Sequence, residues 1–149
     1  MAEREKTIGI VIFRREGKGI KYLLLHHGGP YWNFPKGRQE LGETELESAQ
    51  RELQEETGII DAHILDGFYD TYEYDFDTEI HNGTREKIYK QAIFYLGEVD
   101  SSAVTISHEH QTYDWFDFDT ALKRMYFQQG QDLLKRAHQF LLKQQDFVL

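Results

Sequence analysis

A chain of 149 residues with 40% hydrophobic and 14% aromatic side chains has enough apolar material for one packed domain, expected to span residues 1–149, and is not a disordered polymer. Its formal net charge of −9 excludes the broad basic face that duplex nucleic acid requires, and the absence of cysteine excludes a disulfide framework and a thiolate centre. No run of about 18 apolar residues suggests a membrane span, and the charged first residues lack the apolar core of a signal peptide, so a cytoplasmic setting is expected.

Residues 7–13 are apolar and β-branched and predict a strand. Residues 16–19 carry two glycines and predict a turn into a returning strand at 22–25, followed by a loop at 27–30. Residues 32–34 predict a short extended piece, because Phe34 precedes Pro35 and is biased away from helix. Thr44 and Glu47 form a capping box that starts a helix, and Gly58 stands where a C-terminal glycine stops one. Strands are expected at 64–74 and 88–99, with the hairpin signal His81-Asn82-Gly83 between them. A further strand is expected at 112–118, then a short helix capped by Asp119 and running through Met125. After Gly130, the positions of Leu133, Leu134, Ala137, Phe140 and Leu141 follow a helical period. This order predicts an α/β domain, a mixed sheet with helices packed on it.

On the 44–57 helix, at about 100° per residue, Leu46, Ala49 and Leu53 form a narrow apolar stripe that should face the sheet. Glu52, Glu55 and Glu56 lie beside it at i, i+3 and i+4, so their side chains should converge, with Glu45 adding charge and no lysine or arginine expected among them. Like charges at this spacing cost a few tenths of a kcal/mol per pair on an exposed helix, and more where the dielectric falls. A divalent cation would offset that cost. Several glutamates without histidine or cysteine point to magnesium, with manganese as the substitute, rather than zinc. The plainer reading is a solvated acidic face, on which Arg51 pairs with Glu47 at i−4.

The longer string decides between them. Gly37-Arg38-Gln39-Glu40-Leu41-Gly42-Glu43, then seven residues, then Arg51-Glu52-Leu53-Gln54-Glu55-Glu56-Thr57-Gly58-Ile59 resembles the box of the Nudix family, meeting all nine defined positions over 23 residues. The resemblance implies an α/β/α sandwich with a mixed central sheet, and hydrolysis of a nucleoside diphosphate linked to another group. It implies metal binding by Glu52, Glu55 and Glu56, one of which helps activate water. It also implies a Glu43–Arg51 pair that fixes the helix against its loop, tight backbone at Gly37 and Gly58, and the Lys36 carbonyl as a further metal ligand. A narrower resemblance, to the asymmetric diadenosine tetraphosphate hydrolases, rests on Trp32-Asn33-Phe34-Pro35-Lys36-Gly37, on Ser107-His108-Glu109-His110-Gln111 with Tyr113 and Trp115, and on His138-Gln139-Phe140-Leu141. Phe34 departs from the proline common in the animal enzymes. By this resemblance Glu109 joins the active site as a metal ligand or alternative base, whereas His108 and His110, two residues apart, read as ordinary hydrogen-bonding groups and not as a zinc site.

Lys36 is a candidate phosphate clamp, its compact charge suited to a polyphosphate, and Lys90, more than Lys87, is a candidate for the same groove. Tyr31, Tyr89, Tyr126 and Phe127 are candidates for the flat platform a purine needs, against the alternative that each is core packing. The implied reaction is water attack on one phosphorus of a dinucleoside polyphosphate, diadenosine tetraphosphate giving ATP and AMP, with magnesium as cofactor. The competing readings are an RNA 5′-pyrophosphohydrolase or an inositol pyrophosphate hydrolase and, in another class, a non-catalytic nucleotide-binding regulatory module. Such a module has no need of all the box glutamates, which this chain retains.

Overall fold

The computed structural model describes residues 5–79, 82–100, 104 and 112–146. Its elements are strands β1 (Glu5–Glu16), β2 (Gly19–His26), β3 (Trp32–Asn33) and β4 (Lys36–Arg38), helix α1 (Glu45–Thr57), strands β5 (His63–Ile64), β6 (Asp70–Glu79), β7 (Arg85–Glu98) and β8 (Thr112–Phe116), and helices α2 (Phe118–Arg124) and α3 (Gln128–Asp146). The eight described strands form one sheet in which β1 lies parallel to β7 and the other pairings are antiparallel.

The run Ile8-Gly9-Ile10-Val11-Ile12-Phe13 is continuous in apolarity because β1 is covered on both faces. Alternation sends Ile8, Ile10 and Ile12, with Leu23, Leu25 and Ile93, to a core shared with Ala49 and Leu53 of α1. Val11 and Phe13, with Tyr22, Leu24, Phe94 and Leu96, pack on the other face against Leu133, Leu134, Ala137 and Leu141 of α3. The result is the mixed-sheet sandwich expected from the sequence, with α1 on one side and α2 and α3 on the other.

One edge of β1 is shared. From Phe13 to Glu16 it pairs with β2, and at Thr7 to Gly9 with β4. Between these stretches Ile10 N donates to the Pro35 carbonyl at 3.3 Å. Gly9 makes the crossing feasible, since a Cβ there would sit 2.6 Å from the Pro35 oxygen and 2.4 Å from the Phe94 ring. This brings the backbone of Lys36 and Gly37 beneath α1.

Three expected boundaries move. The single strand at 64–74 is two, β5 and β6, separated by a turn in which Gly67 takes φ 91°, and β6 runs on to Glu79. The cap of α2 is Asp117, not Asp119: its backbone is extended and its side chain accepts from Thr120 N at 2.8 Å, while Asp119 sits in the first turn. Gly130 does not precede the last helix but lies inside α3, where a Cβ would meet the Met125 methyl at 2.6 Å, so the glycine serves close packing.

Candidate active site

Helix α1 is held at both ends by the devices read in the sequence. Thr44 Oγ1 accepts from Glu47 N at 3.1 Å, the Glu47 carboxylate accepts from Thr44 N at 2.9 Å, and Gly58 takes φ 74° and donates to the Gln54 carbonyl. The face turned to the sheet buries Ala49 and Leu53, leaves Leu46 half-buried, and also buries Glu56, which is 6% exposed. The Glu56 carboxyl is hydrogen-bonded to that of Glu52 and to the backbone N–H of Lys36. Burial, and then the Glu52 charge, push its pKa up to about 8, against the opposing pull of the Lys36 ammonium. Lys36 is itself shifted down by burial and by Lys90, while Glu56 and Glu52 hold it up. Gly37 now has a reason: a Cβ there would lie 1.9 Å from Cδ of Glu52, so any larger residue would push that carboxylate out of its present place.

Arg51 corrects one expectation, that no cation stands among the carboxylates. It also does not form the Glu47 pair of the plainer reading. Its Nε donates to Glu43 Oε2 at 2.8 Å, Nη2 to the Arg38 carbonyl at 2.9 Å, and Nη1 to Glu52 Oε1 at 2.9 Å and Glu55 Oε2 at 3.2 Å. The long side chain runs along the helix toward the preceding loop, so one guanidinium fork spans two turns. Glu43 also accepts from Ser48 Oγ at 2.7 Å. These donors, Arg51 foremost, hold its carboxyl down at about 2, while Glu43 in turn raises the Arg51 pKa. The Glu43–Arg51 pair implied by the resemblance is thus present, but Glu55, 58% exposed, is turned to Arg51. Only Glu52 and Glu56 meet, and among the described residues no three acidic or histidine side chains close on one metal position.

The donor chemistry nevertheless fits a divalent ion. Two carboxyls brought close enough to share a hydrogen bond, one of them buried and shifted upward, form an arrangement whose cost a dication removes, and oxygen-only donors suit a hard ion.

From Lys36 a cleft of about 180 Å³ opens on the α3 side of the sheet, lined by Asn33, Lys36, Tyr72, Tyr74, Phe127 and Gln129. Phe127 was expected there. Asn33, Tyr72, Tyr74 and Gln129 were not, although Tyr72 and Tyr74 alternate with acids along β6 in a way that marks one apolar face. Tyr31 and Tyr126 reach the site through Phe127: Tyr31 packs edge-on to Tyr126 at 5.1 Å and stacked on Phe127 at 6.1 Å, and all three rings are about half exposed. Lys90 pairs with Glu5 at 3.4 Å and shares a face with Tyr74, its partner in the register. Tyr89 is a correction. It opposes Asp75, so the pleat carries it to the α1 side with Ile93 and Tyr95, away from the cleft. Lys87 is exposed, opposite Asp77. Glu109, with His108 and His110, lies outside the described residues. A wider groove of about 430 Å³ follows the outer flank of α1 past Gln50, Gln54 and Ile60 and touches this network only through Glu43 and Arg51.

The family model described as the NUDIX domain matches residues 3–137. The chain belongs to the Nudix family. Among relatives, it is 36% identical to the asymmetrical bis(5′-nucleosyl)-tetraphosphatase of Rattus norvegicus, over 91% of this chain and 95% of that one. It is 34% identical to an RNA pyrophosphohydrolase of Bartonella bacilliformis, over 75% of this chain and 73% of that one. A Caenorhabditis elegans Ap4A hydrolase crystallised as a binary complex superposes with a TM-score of 0.79 at 30% identity, covering 93% and 98% of the two chains. This Nudix protein is therefore a hydrolase homologous to the Ap4A hydrolases. Nudix hydrolases generally use divalent metal ions, in keeping with the paired carboxyls of Glu52 and Glu56. Among the described residues no helix is long and apolar enough to cross a membrane.

Proposed function

We propose that this Nudix hydrolase cleaves dinucleoside polyphosphates with magnesium, diadenosine tetraphosphate giving ATP and AMP. The observation that carries the reading is the junction at Lys36. One ammonium stands between the carboxyls of Glu52 and buried Glu56 on one side and an aromatic cleft on the other, so a phosphate chain lying over it would place a base between rings. The activities named for the relatives support the same substrate class.

In this reading Glu52 and Glu56 hold magnesium, with Glu55 joining once released from Arg51 and with the Lys36 carbonyl and Glu109 completing the set. When bound, such an ion polarises phosphoryl oxygens and neutralises charge that builds at phosphorus. Lys36 clamps the phosphate chain as a point charge, and Lys90 adds to the positive potential beside it. Arg51, fixed by Glu43 and the Arg38 carbonyl, sets the rotamer of Glu52. The rings of Phe127, Tyr72 and Tyr74 receive the base, with Tyr31 and Tyr126 buttressing Phe127. The net charge of −9 argues against duplex nucleic acid as a partner.

The relatives named RNA pyrophosphohydrolases supply the second reading, removal of diphosphate from RNA 5′ ends. Chromatography of the products of diadenosine tetraphosphate and of a 5′-triphosphorylated oligoribonucleotide, each with magnesium, separates the two. ATP plus AMP in equal amounts is expected. Turnover of the oligonucleotide alone defeats the first reading, and tight magnesium-independent nucleotide binding without turnover favours a regulatory module.

A further inference from the structure

We propose that the side-chain amides of Asn33 and Gln129 select the purine in the Lys36–Phe127 cleft, favouring a 6-amino over a 6-oxo ring. The proposal rests on the reading of that cleft as the base site and adds which side chains tell adenine from a 6-oxo purine.

The walls do not discriminate. Phe127, Tyr72 and Tyr74 offer faces on which any base stacks. Selection therefore falls to the polar edges, and the structure fixes the sense of both. Gln129 Nε2 donates to the backbone carbonyl of Glu73 at 3.1 Å. An amide that spends its donor end on a carbonyl presents Oε1 as the free end, a pure acceptor. Asn33 is set the opposite way: its Oδ1 accepts from Phe34 N at 2.8 Å, leaving Nδ2 as a pure donor. Among the described residues no protein group bonds either remaining end, and both side chains line the cleft.

One free acceptor and one free donor lining the same cleft suit adenine, whose N6 amino group donates and whose ring nitrogens accept. A 6-oxo purine turns O6, an acceptor, toward Gln129 Oε1 and replaces the N1 acceptor with a donor facing Asn33 Nδ2. Each mismatch leaves two like groups opposed. The orientations are not free to adapt, because reversing either amide breaks its bond to the backbone. Gln129 has a further part: its link to Glu73 ties the start of α3 to β6, so the reading atom and two ring walls keep their spacing.

The test is calorimetric titration of ATP and ITP, which differ at this edge alone, into the wild-type protein, Gln129→Leu and Asn33→Asp. Wild type should bind ATP about tenfold more tightly than ITP. Gln129→Leu should weaken ATP about tenfold and leave ITP within about twofold. Asn33→Asp keeps the bond to Phe34, exchanges donor for acceptor, and should turn the ratio toward ITP. One ATP:ITP ratio across the three proteins, equal losses for both nucleotides, or no binding of either would overturn the proposal. Hydrolysis assays separate the two readings. Loss of the ratio in a protein that still cleaves diadenosine tetraphosphate sinks the amide proposal alone. A ratio that shifts as stated, in a protein that leaves that substrate intact, sinks the substrate assignment alone.

Discussion

The two sides of the Lys36 junction are built on opposite principles. On the α1 side the functional atoms are charges: Arg51 is tied to Glu43 and Glu52 by bonds of 2.8–3.2 Å, and the Glu56 carboxyl is buried although burial opposes its ionisation. On the α3 side the functional atoms are rings, and Tyr31, Tyr126 and Phe127 are left 44%, 56% and 51% exposed. Each side gives up stability, the first by crowding like charges and the second by wetting apolar surface. The crowded side suits an event at a phosphorus, where charge changes during reaction. The open side suits recognition of a neutral base, whose charge does not change. Substitutions on the first should therefore act on turnover, and on the second on affinity.

The largest expected effect tests the charged side. Glu56→Gln keeps the shape and removes a buried ionisable group, so kcat with magnesium should fall on the order of 10³-fold. The metal-free protein should keep or raise its Tm at pH 7, because the carboxyl pressed against Glu52 is gone. Scanning calorimetry in a chelator and steady-state kinetics would read the two arms. A variant that loses Tm in step with activity would show that the glutamate is a structural support, and the contrast between the sides would fail. On the ring side, Phe127→Ala should raise KM about tenfold, within the range for loss of one base stack, with kcat changed less than about twofold. A fall in kcat with KM unchanged would move Phe127 into the chemistry and erase the distinction.

The same asymmetry explains how much was readable in advance. The carboxylates lie on one helix, where a fixed rise and turn convert spacing into direction, and the capping box and Gly58 mark its ends in the chain. The cleft draws on residues 33, 36, 72, 74, 127 and 129, which meet only once β3, β4, β6 and the start of α3 are in place. No local period announces that. Tyr89 fails for a related reason: a strand side chain's face depends on the parity of its register with Asp75, and one residue of slip reverses it. The i−4 spacing of Arg51 and Glu47 names a neighbour on the helix and no more, whereas the long side chain reaches the loop carboxylate of Glu43, as the resemblance implied, and also Glu52 and Glu55, which helix spacing did not show. Gly130 was misread as a helix boundary because the need for space under Met125 leaves no trace in sequence.

The smallest effect concerns the frame of the charged side, and it is the one whose sign pH can test. Glu43 titrates at about 2 in the folded protein, against an ordinary value of 4.5, because Arg51 and Ser48 donate to its ionised form. A carboxyl whose folded pKa is depressed stabilises the fold in full above the unfolded pKa, and that contribution fades as pH falls from about 4.5 towards 2. Glu43→Gln has no such contribution to lose. Its Tm should therefore lie a few degrees below wild type at pH 7, with the gap narrowing steadily between pH 5 and pH 3. The side chain is 22% exposed, so salt should shrink the gap as well. A gap that stays constant with pH would mean that Glu43 supports the loop by shape alone. The ionic frame would then begin at Arg51 and Glu52, and the Arg38 carbonyl, not the Glu43 carboxylate, would be what points the guanidinium at the reacting side of the helix.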